Sequence, residues 1–316
     1  MFAACITKLV STQRSKDNLL MNNLRRFQIA FLLVLSALVG LFAKEGDSAA
    51  APQPAQRNNP TVIFAIGGDP DGFHMDALAL FNGRQFVAPF SEEQKNAQKT
   101  FAEKYFAAGR KYRLIFGGGE AGSVTVTKWS EGCNSIHSEI TAATSARLGG
   151  QVRALATNSD SLGQRALSRR PPTDAERAAV MTLAKSIYSQ RRTPGSLMNS
   201  LKVTNLTATD LDGDGKHEII GSFTLTSKNK FQRDLFLIAK SAGAAMRSDF
   251  VKFQAYQPPP EGFLSSVDFI DQLDVDRNGV GEVFAIQGGF DGYAYLIFRK
   301  VGGRWREVYQ GVGDVC

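Results

Sequence analysis

The stretch from Asp210 to Glu218 reads DLDGDGKHE, and the stretch from Asp274 to Glu282 reads DVDRNGVGE. Asp210, Asp212, Asp214 and Glu218 align with Asp274, Asp276, Asn278 and Glu282 at positions one, three, five and nine, with Gly215 or Gly279 at position six. Oxygen donors at this spacing, around a glycine that turns the backbone, can enclose one hard cation. Calcium suits such a loop because it accepts many oxygen ligands in flexible geometry, whereas magnesium demands a tight octahedron and keeps its waters. An EF-hand is excluded, since it needs an acidic ligand at position twelve, where these loops have Gly221 and Ala285; a dockerin-like loop fails for the same reason. A single loop of this kind reads equally well as an Asp-Gly turn without an ion, because both residues favour turns on backbone grounds. Two loops in one register argue for a cation, since converging carboxylates repel one another in its absence.

Each loop must be held by its flanks, and both are followed at once by apolar residues, Ile219 and Ile220 in one copy, Val283 and Phe284 in the other. Downstream, Asp234–Lys240 (DLFLIAK) matches Tyr293–Lys300 (YAYLIFRK), each leading into a small-residue turn. The unit is strand, acidic loop, strand, turn, strand, and its 64-residue spacing marks an internal repeat. Upstream, Thr173 and Glu176 form a capping box that opens a helix ending near Ser189.

Before that helix the pattern is mixed. Strands are expected at Thr61–Ile66, Ala77–Phe81, Lys111–Phe116, Ser123–Trp129, Ile136–Ala142 and Val152–Ala156, and a helix over 92–107 behind a Ser91/Gln94 capping box. The glycine-rich FGGGEAG lacks a following helix and a Lys-Ser or Lys-Thr pair, so it reads as a wide hairpin turn rather than a phosphate loop. GGDPDGFHMD reads as a turn. Asp69, Asp71 and Asp76 do not make a third cation loop, because Phe73 stands at the fifth position, and His74 reads as a turn histidine without a ligand partner. The polar, arginine-rich run from Ser159 to Pro172 reads as a linker or exposed loop.

The loops resemble the FG-GAP and VCBS repeats of secreted bacterial proteins and of integrin α-chain propellers, which follow a D-x-D-x-D/N-G-x-x-D/E pattern. The resemblance covers about residues 200 to 316 and implies two structural calcium sites. One comprises Asp210, Asp212, Asp214, the Lys216 carbonyl and Glu218; the other Asp274, Asp276, Asn278, the Val280 carbonyl and Glu282. Glu at position nine departs from the integrin pattern, and two units cannot close a propeller. The first site, with four carboxylates against three and without the neighbouring Arg277, is expected to bind more tightly.

The beginning of the chain sets the compartment. Asn22–Arg26 is polar and basic, Ile29–Ala43 is a nearly unbroken apolar run, and Ala49–Ala51 supplies small residues. This resembles a secretory signal peptide with Met21 as its natural start, and the apolar run is short for a membrane span. A secreted, periplasmic or cell-surface protein with a cleaved leader over residues 1–51 is expected, without a stable membrane span. Removing the leader takes six basic and three acidic residues, so the net charge of +7 falls to +4. No long basic run or nucleic-acid motif remains, which excludes a nucleic-acid partner. In an oxidising compartment Cys133 and Cys316, the two cysteines outside the leader, are expected to pair; without CxxC spacing they make a poor zinc site.

The expected fold is α+β, mainly β, with an N-terminal mixed α/β region (residues 52–170) followed by a helix and two β-hairpin-type calcium-loop repeats (residues 171–316), propeller-like in part. The expected function is a non-catalytic scaffold or binding module for a glycan, a protein or a cell-envelope partner. The alternative is a secreted hydrolase or lyase drawing on Glu120, His137 and Asp160, although no nucleophile elbow, HExxH or ordered triad is present.

Overall fold

A computed structural model of the chain describes residues 60–69, 72–91, 96–132, 135–227, 232–243, 245–256, 266–289 and 292–315. Residues 1–59, Asp71, Cys133 and Cys316 lie outside these residues, and with them the expected signal peptide and disulfide. Strands dominate, helices are few, and all the described residues belong to one unit spanning Asn59–Cys316.

β1 (Thr61–Asp69) is a continuous apolar run because it is buried on both faces. Val62, Phe64 and Ile66 point one way and Ile63 and Ala65 the other, into two separate cores. It pairs with β2 (Gly72–Phe81), which carries a two-residue edge strand, β3 (Phe86–Val87). After α1 (Ala97–Tyr105) come β4 (Lys111–Phe116), β5 (Gly119–Glu131), β6 (Ile136–Thr144) and β7 (Ala154–Thr157). The order β1-β7-β4-β5-β6-β2, with β2 returning to β1, closes an antiparallel barrel of six strands. Residues 61–157 therefore form a closed barrel rather than an open mixed region, and the molecule is not a partial propeller. Closure removes the exposed edges that a sheet of this size would present. Tyr112, Leu114, Val124 and Val126 fill its interior, together with Phe101, Ala102 and Tyr105 of α1 and the following Phe106.

Three local expectations change here. The helix begins at Ala97 behind Asn96, whose side chain makes no capping bond, so Ser91 does not set its start; residue 94 is outside the described residues. The glycine-rich connection is a tight turn, Gly117–Gly118, both with positive φ as a two-residue hairpin requires, while Glu120–Gly122 already belong to β5. The GGDPDGFHMD segment is strand on both sides, since Gly67–Asp69 pair with Gly72–His74; glycine and aspartate are tolerated there because the strand ends are pinned by their partners.

The second half is layered. α2 (Asp174–Gln190) starts at the expected capping box, with Thr173 and Glu176 bonded reciprocally. A 3₁₀ turn (Gly195–Ser200) leads into β8 (Lys202–Thr209), β9 (Glu218–Thr226), β10 (Gln232–Ala242) and β11 (Ala245–Tyr256), a four-stranded meander. β12 (Val267–Leu273), β13 (Glu282–Gly288), β14 (Gly292–Val301) and β15 (Arg304–Val315) form a second meander of the same design. In each, the acidic loop joins the first two strands, as the repeat predicts, and a fourth strand completes the unit.

Four layers result. α2 packs Val180, Ala184, Ile187 and Tyr188 on one face of the first meander. The other face, with Ile220, Phe236 and Ile238, meets Phe269, Val283, Leu296 and Phe298 of the second meander. The far side of the second meander, with Ile270, Phe284, Tyr295 and Ile297, packs on Ile63, Ala65 and Leu155 of the barrel wall.

The run from Ser159 to Pro172 is a loop exposed in several places, as expected, but it is also pinned into the fold. Leu162 is buried, and Arg169 places its guanidinium against the carbonyls of Arg153 (2.8 Å) and Ile270 (2.6 Å), the carboxylate of Asp271 (3.4 Å), and the rings of Phe116 and Phe269. A guanidinium such as that of Arg169 can be buried when it finds carbonyls, a carboxylate and an aromatic face.

Candidate metal centres

Both acidic loops follow one backbone path. The residues at positions four and six, Gly213 and Gly215 in the first loop, Arg277 and Gly279 in the second, all have positive φ. Arg277 does so without glycine's freedom, at a cost of about 1–2 kcal/mol. Asp210 accepts from the N–H groups of Gly213 (2.7 Å) and Gly215 (2.9 Å), and Asp274 from those of Asn278 and Gly279 (both 3.0 Å). Glu218 reaches back to Leu211 N–H (3.0 Å), as Glu282 does to Val275 N–H (2.8 Å). Asp214 accepts from Lys216 N–H, and Asn278 from Val280 N–H. Leu211 and Val275, at position two, are buried plugs that anchor each loop in a core.

Positions one, three and nine converge in each loop. One carboxylate oxygen each from Asp210, Asp212 and Glu218 lie within 4.8 Å of one another, and the same holds for Asp274, Asp276 and Glu282. Asp214 is not part of the first cluster and bonds its own loop backbone, while Asn278 accepts from Val280 N–H and donates its side-chain amide to Asp276 (3.1 Å). The carbonyls of Lys216 and Val280 accept no hydrogen bond among the described residues. Burial pushes the Glu218 carboxyl up to about 7, opposed by the Leu211 N–H and reinforced by Asp212 and Asp214. Burial does the same for Glu282, also to about 7, against the Val275 N–H and Arg299.

The surroundings of the two clusters differ. Asp212 Oδ1 is buried and has no hydrogen-bond partner among the described residues. In the second cluster Arg299 enters from β14, its Nε 2.7 Å from Glu282 Oε1 and 3.5 Å from Asp276 Oδ2, while Phe81 and Phe86 lie against the guanidinium. Arg277, the arginine singled out from the sequence, instead bonds Ser161. Strand register explains the asymmetry. Ile219 pairs with Ala239 and Val283 with Phe298, which puts Lys240 in the place of Arg299, one residue from the match read off the sequence. Lys240 turns to Asp249 instead (3.3 Å).

The loops lie side by side. Gly281 N–H donates to the Leu211 carbonyl (2.7 Å), and Arg165 donates to the carbonyls of Leu211 (3.2 Å) and Gly279 while lying 3.5 Å from Asp274. Gln272 donates to the Asp210 carbonyl (2.8 Å), and His217 bonds the Ser168 carbonyl (2.9 Å).

Glu120 and Asp160 both face Arg113, whereas His137 sits on β6 beside Ser130 (3.0 Å), so the three residues named for catalysis do not assemble. His137 instead lines a cavity of about 590 Å³ with His74, Asp76, Glu139 and Tyr293. The usable signal was the pair of His-x-carboxylate triplets, whose alternate residues share a strand face; treating His74 as part of a turn concealed it. Among the described residues no helix is long and apolar enough to cross a membrane. Comparison of the chain with protein-family models, with curated proteins and with solved structures found no match, so the candidate function rests on the geometry and chemistry of these residues.

Proposed function

We propose that the chain is a calcium-binding repeat protein of the FG-GAP/VCBS kind, a non-catalytic secreted or periplasmic scaffold that presents its surface to a glycan, a protein or a cell-envelope partner. The observation that carries the calcium reading is the buried, unpartnered Oδ1 of Asp212 beside two other converging carboxylates. A buried carboxylate oxygen without a partner is costly, and a hard cation is the partner that an all-oxygen donor set fits. Asp210, Asp212 and Glu218 would hold the ion, with the Lys216 carbonyl and Asp214 available to complete its shell. In the second loop Arg299 already supplies positive charge to Asp276 and Glu282, so that site would hold calcium more weakly through Asp274, Asp276, Glu282, Asn278 and the Val280 carbonyl. The ion would tie β8 to β9 and β12 to β13, and binding confined to the folded loop adds to stability. The scattering of Glu120, His137 and Asp160 gives the hydrolase or lyase alternative no support.

Isothermal calorimetry tests the ordering. The unmodified protein is expected to titrate with a tight and a weaker calcium site; Asp212→Ala removes the tight one and Asp276→Ala the weaker one. Equal losses of affinity in the two variants would contradict it.

A further inference from the structure

Two strands of the barrel wall carry the same triplet in opposite directions, His74-Met75-Asp76 on β2 and His137-Ser138-Glu139 on β6. Their register sets His74 opposite Glu139 and Asp76 opposite His137. Met75 and Ser138, between them, are fully buried, so the four chemistry-bearing side chains share the other face. They open into the cavity of about 590 Å³, whose remaining lining includes Phe73, Thr127, Thr141 and Tyr293. This volume suits a small organic ligand.

Among the described residues the lining has two carboxylates and neither lysine nor arginine. Glu139 has an exposed ion pair with Lys128 (2.8 Å), which holds it weakly. Asp76 is half-buried and has no basic partner among the described residues. Its Oδ2 accepts the hydroxyls of Tyr295 (2.8 Å) and Tyr293 (3.2 Å), while Oδ1 accepts no hydrogen bond among the described residues. Neither ring nitrogen of His74 is hydrogen-bonded among them. An anion would meet like charge here. A metal is also disfavoured, because among the described residues the clusters of three or more ligating side chains are those of the two loops.

We propose that this cavity binds a small organic cation bearing an ammonium or guanidinium group. Asp76, fixed by two tyrosyl hydroxyls, is the counter-ion; Glu139 and the imidazole of His74 accept further N–H groups; Tyr293 offers aromatic surface to the ligand's carbon frame. The cavity is acceptor-rich, so it selects a donor-rich ligand. This assignment is independent of the calcium loops.

The chain has three histidines, which makes imidazole NMR signals a local readout. Putrescine, agmatine and glucosamine are titrated into the folded protein, in calcium buffer and in chelator, with N-acetylglucosamine as the uncharged counterpart of glucosamine and acetate as an anion. At least one cation is expected to shift the His74 and His137 signals saturably at millimolar concentration, leaving His217 unmoved, while acetate and N-acetylglucosamine do not. Asp76→Asn is expected to weaken binding about tenfold or more, the loss that accompanies removal of one charged hydrogen-bond partner. If that variant does not fold, the exposed Glu139→Gln is the second test, with a severalfold loss expected. No saturable shift with any of the three cations overturns the proposal. So does N-acetylglucosamine binding as tightly as glucosamine, which would make this a neutral saccharide site, and so does undiminished binding in the folded variant tested.

Discussion

Arg169→Met is expected to destabilise the protein by about 3–5 kcal/mol, the cost of leaving a buried carboxylate without its cation. Asp271 is fully buried and accepts from both Gly117 N–H and its neighbour Gln272 N–H, so it cannot turn to water once Arg169 is gone. Burial pushes the Asp271 carboxyl up to about 6, with Arg169 and the two backbone N–H groups opposing it. The sign follows from linkage. The folded form holds the proton more tightly than the unfolded chain, whose value is near the usual ~4, so this group's contribution is complete below that pH and is lost as pH rises through about 6. Removing the opposing cation raises the value further. The deficit of Arg169→Met should therefore be larger at pH 7.5 than at pH 5, where the carboxyl can take up a proton. Urea unfolding at the two pH values measures this; a deficit below about 1 kcal/mol that does not change with pH would show that the pair is not a stabilising contact.

The second large effect concerns the seam between the meanders. Phe298 stacks on Phe236 with ring centroids 5.1 Å apart and meets Phe250 at 4.9 Å, so one ring from the second sheet fills the space between two from the first. Phe298→Ala removes a fully buried ring and leaves a cavity between stiff sheets that cannot close over it. The expected cost is about 3–5 kcal/mol, read by urea unfolding at pH 7.5. A loss under about 1 kcal/mol would mean that the sheets re-pack and that the seam does not depend on this ring.

Much of the architecture was legible because it rests on local rules. The alternating runs at Ser123–Trp129 and Ile136–Ala142 are strands β5 and β6, and the Thr173/Glu176 box opens α2 as expected. The repeated acidic loops occupy equivalent places in two sheets of the same order. Barrel closure was not legible, because it depends on β7 reaching both β1 and β4 and on β2 reaching β6, pairings across long separations that no local pattern announces. The burial of the Arg169 side chain was hidden for a related reason. Polarity alone marks Arg165 and Arg169 as solvent-facing, and their partners include the distant Ile270, Asp271 and Gly279.

Within the acidic loops, spacing correctly placed positions one, three and nine together. At position five, Asp214 bonds its own backbone apart from the other three carboxylates, and Asn278 bonds both its backbone and Asp276. Spacing pointed to Arg277 as the neighbouring cation, when the strand register brings in Arg299. A sequence offset of 64 residues aligns the loops, but the number of residues in the following hairpins differs, so side chains on β10 and β14 cannot be matched by counting from the aspartates. The asymmetry between the loops is tertiary in origin.

The most direct test of the calcium clasp is thermal melting of residues 52–316 in excess calcium and in excess chelator. The account predicts a higher melting temperature in calcium, an increment that grows with calcium concentration, and its near disappearance in Asp212→Ala while most of it survives in Asp276→Ala. A melting temperature that is the same in calcium and in chelator would contradict it.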